Sequence, residues 1–378
     1  MTRGHRYDAP SMTPAILQQL CSVPTAPFAE QQVVAYVERF VRARRRLKLT
    51  RDEHGNVLIE LRGPKRPTSP RFVFAAHMDH PGFVAERMLD AKTLQARFHG
   101  WVKAEYFKGE RVRFFDDDQE IRGTVLDFTV GKERGVPDRV RIRVAQDVPA
   151  GVPGMWDQGE GRTRGGKFYS RVCDDLAGAA GALAMLDELA KRPPRAPLAV
   201  LLTRAEEEGF IGAIAAAKKP RLLRKSDRII AIETSAVQPY APQGAGAIIR
   251  IGDRTSIFHS GLTQFLQTQA AAIAKRDKAF KYQRALMPGG TCEATVYDAY
   301  GFTASSICVA LGNYHNMDTA KRRIGPEFID VPDWRNMVKL FVQVARNAER
   351  YAEGHADLKR RIENRFNQLK PLLKRGTR

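Results

Sequence analysis

The sequence predicts an α/β fold in which a mixed sheet lies between helices, with a small β-rich unit inserted into its first half. Near-continuous apolar runs such as RFVFAAHMD (71–79) are typical of strands covered on both faces. After residue 168, such runs alternate with segments that have apolar residues at helical spacing. From 84 to 167, short alternating runs are separated by Gly, Asp and Pro without a helical pattern.

The first elements are a helix, a hairpin and a strand. In AEQQVVAYVERFV (29–41), Val33, Val37 and Phe40 share one helical face. LTRDEHGNVLIELRG (49–63) predicts two strands joined by a Gly-Asn turn. The buried strand 71–79 follows. We therefore expect a discontinuous main domain, 1–83 and 168–378, with 84–167 as the inserted β-rich domain.

The second half repeats strands whose exits are polar. DDLAGAAGALAMLDELAKR (174–192) predicts a helix, and a last helix carries Met337, Leu340, Phe341 and Val344 in register. The predicted strands between these helices are PLAVLLTRAEEEG (197–209), DRIIAIETSA (227–236) and SSICVALGNYHNMDT (305–319). The first two have acidic exits and the third ends in a histidine.

Composition argues against several classes of protein. The four cysteines lack CxxC spacing, so we expect neither disulfides nor a structural zinc knot. No apolar run approaches the roughly 20 residues that a membrane span requires. The N-terminus, MTRGHRYDAPSMTPAIL, lacks the apolar core of a signal peptide. These features predict a cytoplasmic protein without a membrane partner.

The net charge of +20 raises the question of a nucleic-acid partner. The basic residues are dispersed, with local clusters at RARRRLKLTR (42–51) and along 358–378. They lack the interleaved aromatic residues that stack on bases. Since charge runs on helices usually face water, we favour a solvated surface over nucleic-acid binding.

Metal-competent residues follow the predicted strands at one edge of the sheet. Ligands of open α/β sheets gather at the carboxyl ends of strands. The strand exits here carry His77 and Asp79, Glu206 and Glu207, Glu233, and His315. Asp174 adds a carboxylate where a loop enters a helix, although an acidic residue there is usually a cap. Each feature alone is weak, but their convergence on one edge indicates a site.

The residue types indicate a two-metal hydrolase. Two histidines with several carboxylates suit Zn²⁺, Co²⁺ or Mn²⁺ better than Ca²⁺. A carboxylate that bridges two ions, with a histidine and a carboxylate on each, is the composition of such an enzyme. The pair Glu206 and Glu207 offers one carboxylate to ligate and one to deprotonate water. Asp79, on the same side of the strand as His77, can accept the other ring N–H of that histidine.

In this order the motifs resemble those of the glutamyl/tetrahedral aminopeptidases, dinuclear-metal exopeptidases of the zinc exopeptidase superfamily. The β-rich unit is similar to the small β-barrel domain of that family, and the resemblance spans residues from about 12 to 345. The matching segments are AHMDH (76–80), VCDDLAG (172–178), AEEEGFIGA (205–213), AIETS (231–235), MPGGTCEA (287–294, a Gly-Gly-Thr loop) and GNYHNM (312–317).

Carried over by position, the resemblance implies two divalent metal ions per chain, zinc first, with cobalt or manganese as alternatives. His77 and Glu233 would hold one ion, Glu207 and His315 the other, and Asp174 would bridge them. The resemblance also implies a peptide or small amino-acid-derived substrate and a homo-oligomer, because relatives often assemble through the β-barrel domain.

The resemblance also assigns the remaining roles. Glu206 would be the general base and Asp79 would orient His77. In relatives the peptide bond between the two aspartates, here Asp174 and Asp175, is cis. His80 stands where the family usually has an acidic residue, and we considered it as a substrate-side polar group.

Other departures keep the substrate open. Glu233 stands where aminopeptidase members commonly have Asp, whereas Glu is frequent in related carboxypeptidases and deacylases. DDLAG also lacks the usual Arg after the acid pair. The first hypothesis is an aminopeptidase that cleaves N-terminal peptide bonds. The second is a carboxypeptidase or N-acyl-amino-acid deacylase with the same dinuclear site. A third is a non-catalytic nucleic-acid or scaffold protein.

Overall fold

The computed structural model describes residues 14–63, 69–116, 119–131, 135–219 and 221–375, apart from the side chains of 14, 353–358 and 374–375. Residues 1–13, which carry most of the segment judged not to be a signal peptide, lie outside these ranges. Among the helices described, none is long and apolar enough to cross a bilayer.

The helices are α1 Pro14–Cys21, α2 Gln31–Arg42, α3 Leu176–Lys191, α4 Ile211–Lys218, α5 Ser260–Arg276, α6 Glu293–Ala299, α7 Val331–Arg346 and α8 Tyr351–Arg375. The strands are β1 Leu47–Arg51, β2 Val57–Leu61, β3 Phe72–His77, β4 Gly82–Asp90, β5 Thr93–His99, β6 Arg111–Asp116, β7 Gln119–Val130, β8 Pro137–Val144, β9 Pro153–Trp156, β10 Arg162–Arg164, β11 Lys167–Ser170, β12 Leu198–Thr203, β13 Arg228–Ala236, β14 Ala247–Gly252, β15 Tyr282–Leu286, β16 Thr303–Gly312, β17 Met317–Asp318, β18 Arg323–Ile324 and β19 Glu327–Asp330.

One large mixed sheet forms the centre of the main domain. Its strand order is β1-β2-β12-β3-β13-β16-β19-β11-β10, and β14 and β15 continue it beside β16. The strands β12, β3, β13 and β16 are parallel to one another. Their neighbours β2, β14 and β19 are antiparallel to them. The parallel centre therefore brings four strand exits to the same edge.

Helices cover both faces of this sheet. On one face, the ring of Phe74 packs 5.2 Å from the ring of Phe341 in α7. On the other face, Val73 and Ala75 lie in a cluster with residues of α4 and α6, among them Tyr297. The alternation along β3 thus buries every side chain, as the uninterrupted apolar run predicts.

The inserted unit is a closed barrel with strand order β4-β5-β8-β7-β6-β9. Its core contains a cluster of aromatic rings, with Phe83 4.9 Å from Trp156 and Phe98 4.8 Å from Phe107. The predicted fold class, a mixed sheet between helices with a small barrel, is confirmed. The barrel strands span 82–156, whereas β10 and β11 pair within the large sheet. The division at 84 and 167 stays a prediction.

A buried ion pair fixes the edge of the sheet opposite to these exits. Arg71 precedes β3, and its guanidinium donates to both carboxylate oxygens of Asp227, at 3.2 and 2.6 Å. It also donates to Glu60 and to the carbonyl of Leu222. Since Arg71 and Asp227 are 5% and 0% exposed, their charges depend on each other. The pair thus ties the start of β3 to the start of β13.

We expect Arg71→Met to lower the free energy of unfolding by about 3–5 kcal/mol, because Asp227 would remain buried without its partner. Arg51→Met is the control, since Arg51 and Glu38 form a pair with side chains 44% and 38% exposed. That substitution should cost less than about 1 kcal/mol. Urea denaturation of both variants measures the difference. Equal losses would show that Arg71 contributes no more than a surface arginine.

Candidate metal centre

The strand register brings the first predicted ligands to one level. Phe72 of β3 pairs with Arg228 of β13, and the pairing continues to Ala75 with Ala231. The pairing ends there, but His77 and Glu233 follow two residues later on their strands, and their donor atoms lie within 4.8 Å of each other. On the other side of β3, His77 pairs with Thr203, the last residue of β12. The loop with Glu206 and Glu207 starts at the same level.

Asp174 lies between the two predicted histidine ligands. Its Oδ1 is 3.4 Å from Nε2 of His77, and its Oδ2 is 3.8 Å from Nε2 of His315. Thr234 donates to Oδ1 from β13 at 3.0 Å. The peptide bond between Asp174 and Asp175 is cis. One carboxylate therefore faces both imidazoles, as a bridging ligand would.

The backbone defines the tautomer of both histidines. Nδ1 of His77 lies 3.1 Å from the carbonyl of Asp79, and Nδ1 of His315 lies 2.8 Å from the carbonyl of Trp101. A carbonyl can only accept, so in the neutral ring each Nδ1 carries the hydrogen and each Nε2 presents its lone pair. These lone pairs point toward carboxylates, because Nε2 of His315 is also 3.2 Å from Oε2 of Glu207. The nitrogen and the carboxylate oxygen at that distance require a proton or a cation between them.

Two groups of donor atoms are compact enough to hold a cation. One consists of His77, Glu206 and Glu233, and the other of Asp174, Glu207 and His315. Within each group the donor atoms lie within 4.8 Å of one another, and all six residues are at least nine-tenths buried. Nε2 of His315 is buried, and the nearest carboxylate oxygen is that of Glu207. Imidazole and carboxylate donors in this arrangement fit two divalent ions.

In the metal-free chain, the close spacing of these buried groups shifts their pKa values. Burial, with the charge of Asp174, raises the pKa of Glu233 to about 8. Burial also raises the pKa of Glu206 well above its usual value. For His315, burial acts to lower the pKa, but Glu207 and Asp174 outweigh it and raise the pKa to about 9. In the absence of a cation, protons must therefore take its place.

Asp79 contacts two parts of the site, the loop that carries Glu206 and Glu207 (the glutamate loop) and the ring of His77. Its Oδ1 and Oδ2 accept the backbone N–H groups of Glu206 and Glu207 at 2.9 and 3.0 Å. The distance from Oδ1 to Nδ1 of His77 is 3.6 Å, longer than a hydrogen bond, whereas the backbone carbonyl of Asp79 takes that N–H. The sequence suggests only the contact with His77. The structure adds the link to the two glutamates.

Glu327 is a site residue that sequence reasoning missed. It is fully buried, and its Oε2 accepts the N–H groups of Cys173 and Asp174 at 2.7 and 3.0 Å. Its Oε1 accepts the N–H of His315 at 2.9 Å. One side chain thus sets the relative position of two ligand loops. Its only sequence signal is a glutamate at the start of a short apolar strand.

His80 does not face a substrate space. It is fully buried, and Nδ1 lies 2.8 Å from the carbonyl of Asp174. Nε2 lies 2.9 Å from Oδ1 of Asn316, whose amide donates to the carbonyls of Arg171 and Gly325. Both ring nitrogens are therefore used within the protein. His80 supports the ligand loops, and the substrate-side interpretation was wrong.

The barrel contributes directly to the site. Trp101, which follows β5, supplies the carbonyl that orients His315. Glu208 accepts the N–H of Gly100 at 3.0 Å, and its Oε1 lies 3.1 Å from Nδ1 of His99. The glutamate loop and the last histidine are thus both attached to the inserted domain.

A pocket with a buried arginine adjoins Glu233. It is lined by Arg250 of β14, by Tyr314 and by the Gly-Gly-Thr loop at 289–291. Arg250 is 3% exposed, donates to Oγ of Ser235 at 3.2 Å, and has no hydrogen-bond partner at Nε. Among the described residues, no carboxylate lies within ion-pair distance of it. The pocket therefore offers a guanidinium next to the candidate metal centre.

Comparison with known proteins confirms the family resemblance. The sequence model of the family described as M42 glutamyl aminopeptidase matches residues 143–324, just under half of the chain. The match includes every proposed ligand except His77. No curated protein sequence matches the chain significantly.

Solved peptidase structures share the fold over most of the chain. An aminopeptidase from the archaeon Desulfurococcus kamchatkensis is 22% identical, with a TM-score of 0.73 over 89% of this chain and 95% of that one. The TET1 peptidase of Pyrococcus horikoshii is 19% identical, with a TM-score of 0.73 over 89% and 99%. A TET aminopeptidase from a marine sediment archaeon, Thaumarchaeota archaeon SCGC AB-539-E09, is 17% identical, with a TM-score of 0.72 over 88% and 96%. The family match and these neighbours indicate a hydrolytic peptidase.

We expect Glu327→Gln to weaken metal binding by about 10- to 100-fold, because an amide cannot accept from both ligand loops. Titration of the metal-stripped protein with Zn²⁺ measures the change. Asp333→Asn is the control, since Asp333 is also buried and accepts two backbone N–H groups, those of Gly244 and Gly246, outside the two donor groups. Zn²⁺ affinity should change little in that variant. Wild-type affinity in Glu327→Gln would remove Glu327 from the positioning residues.

Proposed function

We propose that this relative of the M42 glutamyl aminopeptidases is a metal-dependent aminopeptidase that hydrolyses N-terminal peptide bonds. The position of Asp174 between the Nε2 atoms of His77 and His315 carries the proposal. His77 and Glu233 would hold one divalent ion, Glu207 and His315 the other, and Asp174 would bridge them. The donor set suits zinc first, then cobalt or manganese. When bound, the ions would polarise the scissile carbonyl and lower the pKa of the attacking water.

Glu206 is the proposed general base. It lies in one donor group with His77 and Glu233, and burial raises its pKa, which favours a carboxylate that can accept a proton from water. Its carboxylate would take a proton from the attacking water and deliver it to the leaving amine. Asp79, which accepts the N–H of Glu206, keeps that loop in place.

A carboxypeptidase or N-acyl-amino-acid deacylase is the second candidate, and Arg250 is the observation that favours it. A buried guanidinium beside the scissile bond suits a substrate carboxylate. In an aminopeptidase the same arginine would bind an acidic N-terminal side chain. In the alternative it would bind the α-carboxylate of the released amino acid.

We also infer a homo-oligomer in the cytoplasm. The titles of the neighbours describe a dodecamer and assembly into a tetrahedron or a large octahedral shell. Shared fold over the whole length of those chains supports a similar capacity here. The four cysteines are free and buried, which is consistent with a reducing compartment.

We expect Glu206→Gln to retain about two metal ions per chain and to lose about 10²- to 10⁴-fold in kcat, because glutamine cannot accept the proton. Metal analysis and turnover of an amino-terminal reporter peptide measure the two effects. His315→Ala is the comparison, since it should lose metal as well as activity. Normal turnover by Glu206→Gln would exclude Glu206 as the base, and loss of metal would identify it as a ligand instead.

We expect Arg250→Gln to lower the preference for an N-terminal Glu over Leu by about 10- to 100-fold, because a charge-assisted hydrogen bond is lost. The ratio of kcat/KM values in one preparation cancels any difference in the amount of folded enzyme. Arg250→Lys keeps the charge and should keep part of the preference. An unchanged ratio would show that Arg250 does not contact the substrate side chain.

Amidation of the substrate C-terminus separates the two candidate functions. An aminopeptidase should cleave amidated and free tripeptides at similar rates. A carboxypeptidase or deacylase requires the free carboxylate and should lose activity on the amide. Loss on amidation would replace the primary proposal by the second one.

A further inference from the structure

The last helix, α8, starts on the protein core and then leaves it. Tyr351 packs with ring centroids 6.0 Å from Phe72 and 5.6 Å from Phe265. From residue 359 to 373, every side chain is exposed. At 1.5 Å per residue, this segment extends about 22 Å. A helix of this length is marginally stable in water without a packing partner.

Large apolar side chains on this segment lie on one side of the helix. The residues and their exposed fractions are Ile362 62%, Phe366 55%, Leu369 38%, Leu372 58% and Leu373 68%. At 3.6 residues per turn, they fall within an arc of about 120°. The opposite side carries polar residues such as Asn364 and Gln368. An exposed arc of this size indicates a surface that binds something.

Basic side chains border the apolar arc on both sides. Lys359 and Lys370 project along one border. On the other side, Arg361 lies just beyond Leu372, and Arg365 lies between Leu372 and Leu369. Residues 359–373 contain five basic residues and one acidic residue, Glu363. Long basic side chains at the edges of an apolar stripe extend their stems over it and place their charges at a polar boundary. This is the pattern of a helix that lies in a membrane interface.

A second copy of the helix is a poorer occupant. The spacing of Ile362, Phe366, Leu369 and Leu373 also fits two turns of a coiled-coil seam. In that register Arg365 and Lys370 occupy the g and e positions that face each other across a parallel pair. Both are positive, so the pair would be repulsive. A nucleic acid would neutralise these charges but would leave the apolar arc in water.

We infer that α8 docks the protein on an anionic lipid bilayer, with its apolar arc among the acyl chains and its basic borders at the headgroups. Both features are then satisfied by one partner, because the apolar residues leave water and the cations approach negative charge. The helix lies on the bilayer without crossing it. The expectation that the chain has no membrane partner stays a prediction, and this inference is the alternative to it.

Co-sedimentation of the full-length protein with vesicles tests the inference. We expect binding to vesicles of phosphatidylglycerol and phosphatidylcholine, and little binding to phosphatidylcholine alone. Phe366→Ser with Leu369→Ser should weaken binding at least about tenfold, because apolar burial is lost. Arg361→Gln with Arg365→Gln should weaken it by about 25-fold, at about fivefold for each charge.

Arg122→Gln with Arg143→Gln is the charge-matched control. Both residues are exposed on barrel strands, so this variant removes two positive charges away from α8. It should bind anionic vesicles almost as wild type does, and peptide turnover should be the same in all variants. An equal loss in the control would show that net charge alone drives binding.

Two further results would overturn the inference. One is the absence of wild-type binding to anionic vesicles at low salt. The other is a change in oligomeric mass of the Phe366→Ser, Leu369→Ser variant while vesicle binding is unaffected, which would make a second copy the occupant. Analytical ultracentrifugation of that variant distinguishes this case.

Discussion

The site depends on one electrostatic constraint: two imidazole lone pairs are buried facing carboxylate oxygens. His77 and His315 each commit Nδ1 to a backbone carbonyl, so neither can rotate to relieve the repulsion at Nε2. Bringing these groups together without water costs several kcal/mol per charge unless a positive charge lies between them. The crevice therefore requires cations or extra protons between these groups, and the proposed metal centre would use that property.

Two carboxylates outside the proposed ligand set hold the loops around this crevice in position. Asp79 connects the exit of β3 to the loop with Glu206 and Glu207. Glu327 connects the loop with Asp174 to the loop with His315. Each accepts backbone N–H groups with both oxygens, so each fixes the main chain from which the ligands project. Ligand geometry is thus set by the backbone, which varies less than side-chain rotamers do.

Local patterns predicted the strands and the residues at their exits, because a buried parallel strand with a polar end is visible within about ten residues. The barrel was predicted as a β-rich unit for the same reason. The residues that support the ligands could not be predicted from local sequence patterns. Glu327 acts on residues more than 150 positions earlier in the chain, and Arg250 interrupts an apolar strand that was not predicted. In sequence His80 could be read as a substrate-side polar group, and only its partners identify it as structural.

Negative charge is concentrated inside the crevice, whereas the surface of the protein is positively charged. A protein with a net charge of +20 repels metal cations at long range. At physiological ionic strength this repulsion fades beyond about 8 Å, so metal retention must come from direct ligands rather than from attraction to the whole molecule. The same surface attracts anions. An anionic substrate drawn to it would reach Arg250, which would bind its acidic group. The basic borders of α8 act in the same direction toward an anionic bilayer. Concentrating the carboxylates inside the crevice would let one chain bind cations in its interior and anions on its surface.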